Sequence, residues 1–316
     1  CRHRFALAPG SRRRAPMEVS RQNFVPKIGA FCLLWFSHFS RRRRCHSKYF
    51  AKMKVFFIIL LSIALAYASL LVFARLFAEK IIFPAPSPSY SGGNDILRIP
   101  LPGGGEIAAI WIPSKGSDVC AIYSHGNGED IGEIRPILSE YVRRGISVFA
   151  YDYPGYGLST GKPSIEGLKE AAEAAYCYVS QKLGFADSDI AVIGYSLGSA
   201  AACEIVSRHP DLRCAVIVGG FSKAVKAVLP VDIIPWEMLD NSSKISQFKI
   251  PVLFLHGRRD MIVPFRNARE NLRSAPDGLG KLVEFPECGH YGLSENQEYW
   301  REIVEFIKSG GHSKRR

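Results

Sequence analysis

The eight cysteines of this chain include no CxxC pair and no cysteine–histidine spacing suited to zinc. Cys1, Cys32, Cys45, Cys120, Cys177, Cys203, Cys214 and Cys288 are scattered, several of them in apolar runs, so the expectation is buried free thiols and no metal site. Cys288, two residues before His290, is the thiol to examine for reactivity. There is no internal repeat, which excludes a solenoid or propeller array. Acidic residues are nearly missing from residues 1–52, where Glu18 stands alone against 13 Lys and Arg. The remaining 264 residues carry 28 basic and 28 acidic side chains, so the formal net charge of +12 belongs to the leader. The rest of the chain gives no reason to expect a nucleic-acid partner.

Residues 1–52 start at Cys1, contain "RRR" at Arg12 to Arg14 and "RRRR" at Arg41 to Arg44, and hold only a short apolar run, Ile28 to Phe36. Three readings stand: translated sequence upstream of a start at Met53, a basic cytoplasmic tail, or an arginine-rich targeting segment. Charge then vanishes from Val55 to Ala74. Twenty apolar residues at 1.5 Å rise reach about the ~30 Å of a bilayer core, and no polar face marks a core helix. Residues 53–80 are therefore expected to be a signal anchor. Ala66-Tyr67-Ala68 leaves a cleaved signal peptide, and hence secretion, as the alternative. Lys52 and Lys54 on the N-terminal side place that end in the cytoplasm and the rest outside. The proline-rich stretch in 81–95 reads as a linker, 96–308 as the catalytic domain and 309–316 as a polar tail.

Beyond the linker, short apolar runs alternate with amphipathic ones. Strands are expected at Ile96–Ile99, Glu106–Ile112, Val119–Ser124, Ser147–Tyr151, Ile190–Tyr195, Ala215–Gly219, Val252–His256 and Leu282–Phe285. Helices are expected at Ile131–Arg144, Ile165–Leu183, Leu197–Arg208 and Gln297–Lys308, the last with Ser294 opening a capping box. Continuous apolar strands alternating with helices imply a mostly parallel eight-stranded sheet covered on both faces, with its site beyond the strand carboxyl ends.

There the sequence places Gly194-Tyr195-Ser196-Leu197-Gly198 between a strand and a helix. A sharp strand-to-helix turn strains and exposes the serine, and flanking glycines remove the Cβ atoms that would collide. The helix N-terminus directs free N–H groups at any negative charge formed on Ser196. A serine hydroxyl is a weak nucleophile and needs a base held by a third group. His290 follows the last expected strand and Asp260 the preceding one, with Asp232 the runner-up acid. Each residue alone reads as a turn former or surface group; Ser196, Asp260 and His290 in this order at three strand ends read as a triad. The Leu197 N–H and, from the loop Tyr123 to Asp130, the Asn127 N–H (with Gly128 as fallback) would stabilise an oxyanion. His125 and Asp152 are read as structural. Asn241-Ser-Ser matches a glycosylation acceptor.

"YSHGNGEDIG", "YDYPGYGLSTG", "IGYSLGS", "LHGRRDMIVP" and "CGHYG" together resemble, in this order, motifs of the α/β-hydrolases. They are similar to those of the small membrane-associated abhydrolase-domain serine hydrolases, including the depalmitoylating thioesterases, over about Lys80 to Ile307. The resemblance implies an α/β-hydrolase fold, a serine hydrolase cleaving acyl esters or thioesters, and no cofactor. One departure argues against protein depalmitoylation: those enzymes carry an acylated cysteine-rich tail and face the cytosol. The interval Phe221 to Lys249 is too short for a cap domain. It has room for a helix or two, including Pro230 to Leu239, with Trp236 either touching an acyl chain or packing under its own helix. Peptidase and lipid-hydrolase activities are the enzymatic alternatives, and a binding scaffold is the non-enzymatic one.

Overall fold

The computed structural model describes residues 28–228 and 235–311, with side chains from 49 onward. The chain divides into two compact units, residues 1–68 and 69–316. In the first unit the described element is helix α1, which runs on as Ile28–Ile82 and is longer at both ends than the expected anchor. Within its stretch Tyr49–Ile82 the most apolar window of 18 residues has a mean hydropathy of 2.7, and none of that window is buried. An apolar helix of this length fits a membrane anchor.

In the second unit the strands are β1 (Ile96–Pro100), β2 (Glu106–Ile112), β3 (Cys120–Ser124), β4 (Ser147–Tyr151), β5 (Ile190–Tyr195), β6 (Cys214–Val218), β7 (Val252–Gly257) and β8 (Gly280–Phe285). They form one sheet in the order β1-β2-β4-β3-β5-β6-β7-β8. β2 runs antiparallel to β1 and β4, and all the other pairs are parallel. Central β3 shows why the strands read as unbroken apolar runs. Ile122 packs into the core on one face, while Ala121 and Tyr123 pack into the core on the other.

The first face is covered by α3 (Ile165–Cys177), α4 (Gly198–Arg208), α6 (Asn241–Ile245) and α7 (Arg266–Ser274); the second by α2 (Arg135–Arg143) and α8 (Gln297–Ser309). A short α5 (Ala224–Val228) precedes α6, and no cap domain is present among the described residues.

Several elements depart from expectation for local reasons. α2 starts four residues late because the Asp130 carboxylate accepts the N–H groups of Gly132 and Glu133, shaping a turn, and Pro136 then fits the first helical turn. After α3 the chain widens into a π-helical turn, Tyr178–Lys182. α8 is capped by Asn296, whose side chain accepts from the Glu298 N–H, whereas Ser294 lies in a 3-10 turn and its carbonyl accepts from Trp300. Pro235 to Leu239 is not helical, Trp236 is half-buried outside any helix, and Asp232 lies outside the described residues.

The proline-rich stretch expected to be a spacer is tied to the rest of the second unit. Phe83 is buried in the core, the Ser89 N–H donates to Asp130 at 2.7 Å, and the Tyr90 hydroxyl donates to Asp152 at 2.5 Å. Burial of one aromatic side chain and two charge-assisted hydrogen bonds outweigh the freedom a linker would keep. Asn241 is buried too, its amide donating to the Ser199 hydroxyl at 2.9 Å and the Phe221 carbonyl at 3.0 Å, so the glycosylation reading fails.

Candidate active site

The tip of β5 is where backbone sterics and chemistry meet. Ser196 adopts φ of +51°, a left-handed conformation costing about 1–3 kcal/mol in a residue with a Cβ. Its N–H donates to the Val218 carbonyl of β6 at 2.9 Å, which fixes the turn. The flanking glycines permit it: a Cβ on Gly194 would sit 2.4 Å from the Gly198 carbonyl oxygen, and one on Gly198 would sit 2.0 Å from that of Ser124. Behind the turn, the Ser199 hydroxyl donates to the Ser196 carbonyl at 2.6 Å and accepts from Asn241.

The structure brings Ser196, His290 and Asp260 together. Ser196 Oγ lies 3.0 Å from His290 Nε2, and His290 Nδ1 lies 2.7 Å from Asp260 Oδ2. All three residues are buried. An ionised carboxylate only accepts, so Nδ1 carries the proton and Nε2 is left to accept the serine hydroxyl hydrogen. Asp260 Oδ1 accepts from the N–H groups of Ile262 (2.9 Å) and Val263 (2.8 Å). Burial alone would raise the Asp260 carboxyl, but the hydrogen bonds of His256 and His290, the attraction of His290 and the Val263 N–H hold it well below the usual carboxylate range.

His256 escaped the sequence reading. Its Nε2 is 2.7 Å from the Val263 carbonyl oxygen, which only accepts, so this nitrogen carries a hydrogen; it also lies 3.2 Å from Asp260 Oδ2. The available signal was its place in "LHGRRD", four residues before Asp260. Tyr195 holds the other side of the relay, its hydroxyl donating to the His290 carbonyl at 3.2 Å.

Among the described residues, the amides of Leu197 and Asn127 donate to no other protein group. The Leu197 N–H stands at the entry to α4, and first-turn amides have no intrahelical acceptor. The Asn127 loop is held by its neighbours: Tyr156 donates to the Asn127 carbonyl at 3.1 Å, the Asn127 side chain donates to the Ile82 carbonyl at 3.3 Å, and the Gly126 N–H donates to Glu129 at 2.9 Å. Gly128 is exposed.

His125 is buried with Nδ1 2.7 Å from the Gly126 carbonyl oxygen and Nε2 3.4 Å from Asp152 Oδ1, without the alignment of a hydrogen bond to the latter. Burial opposes its protonation, but Asp152 outweighs burial and raises its pKa. Asp152 in turn accepts from the Ile131 N–H at 2.8 Å and from Tyr90. Both residues thus fasten loops. Cys288 is half-buried, and the five cysteines with described side chains are free thiols. No cluster suited to a metal occurs among the described residues.

This sheet order with a serine at the β5 tip defines an α/β-hydrolase scaffold. Residues 117–242 match the family described as "Serine aminopeptidase, S33". An uncharacterized membrane protein of Saccharomyces cerevisiae is 31% identical over 219 residues, covering 65% of this chain and 76% of its own. Alpha/beta hydrolase domain-containing protein 17C of Xenopus tropicalis is 28% identical over 61% of this chain and 63% of its own, so the match spans less than two thirds of that relative. Among solved structures, an esterase of Pyrococcus furiosus superposes with a TM-score of 0.59 at 19% identity, covering 71% of this chain and 99% of that one. The chain belongs to the α/β-hydrolase superfamily.

Proposed function

We propose that the protein is a membrane-anchored serine hydrolase of acyl esters or thioesters, and the observation that carries this is the continuous relay Ser196–His290–Asp260. Ser196 Oγ attacks the carbonyl carbon as its proton passes to His290 Nε2. Asp260 orients the imidazole and stabilises the imidazolium. The Leu197 and Asn127 amides stabilise the oxyanion, each such donor being worth on the order of 10²–10³ in rate. His290 returns the proton to the leaving alcohol or thiol as the carbonyl–oxygen or carbonyl–sulfur bond breaks. Water, deprotonated by His290, then cleaves the acyl-enzyme and releases the acid. No cofactor enters any step.

α1 would hold the enzyme at a membrane, and the Lys52 and Lys54 positions favour a catalytic unit on the extracytoplasmic side. Resistance of the unit to protease added outside sealed vesicles would count against that orientation. The match to a family described as serine aminopeptidase gives amide cleavage as the second reading. Steady-state rates on esters of increasing acyl length, a thioester and an aminoacyl amide separate the two. Ester or thioester turnover that is lost in Ser196→Ala is expected, whereas turnover surviving that change would overturn the proposal.

A further inference from the structure

Beside the relay lies a cavity of about 450 Å³ with Tyr123, Glu129, Tyr195, Val218, His290 and Trp300 among its walls. Two of these touch Ser196 directly, His290 through Nε2 and Val218 through its carbonyl. Two wall groups have few protein partners among the described residues. Tyr123 is 2% exposed, yet its hydroxyl has no hydrogen-bond partner among the described residues. The Glu129 carboxylate accepts only the Gly126 N–H, and no Lys or Arg pairs with it among the described residues; burial raises its pKa, against the Gly126 N–H and the attraction of His125 and His290. The positive charges nearby are already committed: Arg143 and Arg144 both pair with Glu140, and Arg144 also covers the Trp300 ring at 4.5 Å.

We infer that this cavity binds an alkyl-ammonium group carried by the alcohol part of an ester substrate. The reasoning is chemical complementarity. A half-buried carboxylate that no Lys or Arg pairs with among the described residues, and a tyrosine hydroxyl without a protein partner, set among aromatic rings, complement a cation that prefers π faces and negative charge to neutral alkyl surface. The placement follows from proton transfer. His290 must protonate the departing oxygen, so the alcohol lies against His290, and His290 lines this cavity. The reaction consumes one water and yields the carboxylic acid and the ammonium alcohol. This inference rests on the hydrolase reading for its leaving-group side, but the binding site itself does not.

The test uses the full-length protein in detergent micelles. Choline chloride is titrated by calorimetry against 3,3-dimethylbutanol, its uncharged isostere, with Glu129→Gln and Tyr123→Phe as variants. Choline is expected to bind at least about tenfold more tightly than the isostere, and both variants should narrow that gap. In parallel, kcat/KM for butyrylcholine should exceed that for 3,3-dimethylbutyl butyrate. Equal binding of the two alcohols, no binding of either, or a gap unchanged in both variants would overturn the inference. Hydrolysis of both esters at equal rates would overturn it while leaving the hydrolase reading intact. Choline binding without hydrolysis of any ester would support the site and count against the hydrolase reading.

Discussion

His256 Nε2 and Asp260 Oδ2 lie 3.2 Å apart, so the carboxylate oxygen that holds His290 at 2.7 Å is shared by a second, buried imidazole. His256 also closes the Gly257 to Val263 turn through the Val263 carbonyl at 2.7 Å. Replacing it by alanine removes a donor from two buried acceptors. Such a loss costs about 1–3 kcal/mol of stability per stranded group. His256→Ala is expected to lower the denaturant midpoint and to reduce kcat more than it raises KM, because the misplaced Asp260 acts through His290. Chemical denaturation and steady-state kinetics on the same preparation check both.

Gly198→Ala would push a methyl group to 2.0 Å from the Ser124 carbonyl oxygen, a backbone atom at the centre of the sheet that has no room to retreat. The expected cost is about 3 kcal/mol, at the upper end for overpacking. Loss of activity should accompany a lower melting temperature. A variant with unaltered melting would show that α4 does not seat on the sheet as described.

Asn241 lies in a sequence that reads as a glycan acceptor, yet its amide nitrogen is spent on Ser199 and Phe221. Protein secreted or membrane-inserted through a glycosylating pathway should therefore show no mobility shift at this position on glycosidase treatment. Asn241→Ala is expected to destabilise the fold by about 1–3 kcal/mol, since it removes the donor to the Ser199 hydroxyl behind Ser196 and leaves the Phe221 carbonyl to Asn271 alone.

The depressed pKa of Asp260 gives acid stability a definite sign. The carboxyl titrates lower in the folded protein than the roughly 3.9 of an unfolded chain, so its contribution is fully present above that value. It is lost only as the pH falls through the folded value. Asp260→Asn should therefore flatten the stability–pH curve below about pH 4 relative to the native protein, as followed by thermal melts across an acid series. A curve parallel to that of the native protein would contradict the assignment.

The parts of this architecture legible in the sequence share one cause. β2, β4 and β5 show the expected bounds because a sheet covered on both faces forces uninterrupted apolar runs with sharp polar ends. Ser196, Asp260 and His290 could be found because each stands at a strand end, where topology converts chain order into proximity. What stayed hidden depends on polar groups without periodicity. α7 buries Asn267, Ala268 and Asn271 and so carries no apolar stripe for a pattern to reveal. The docking of the proline-rich stretch through Ser89 and Tyr90 depends on Asp130 and Asp152, 41 and 62 residues away, and nothing local to either partner announces the pair.

Incubation of the full-length protein with a fluorophosphonate, followed by mass spectrometry of the digested adduct, tests the nucleophile directly. Modification at Ser196 alone is expected, with the labelling abolished in Ser196→Ala and slowed by on the order of 10³–10⁴ in Asp260→Asn. A natively folded protein that takes up no label, or one modified equally after Ser196→Ala, would contradict the assignment of Ser196 as the nucleophile.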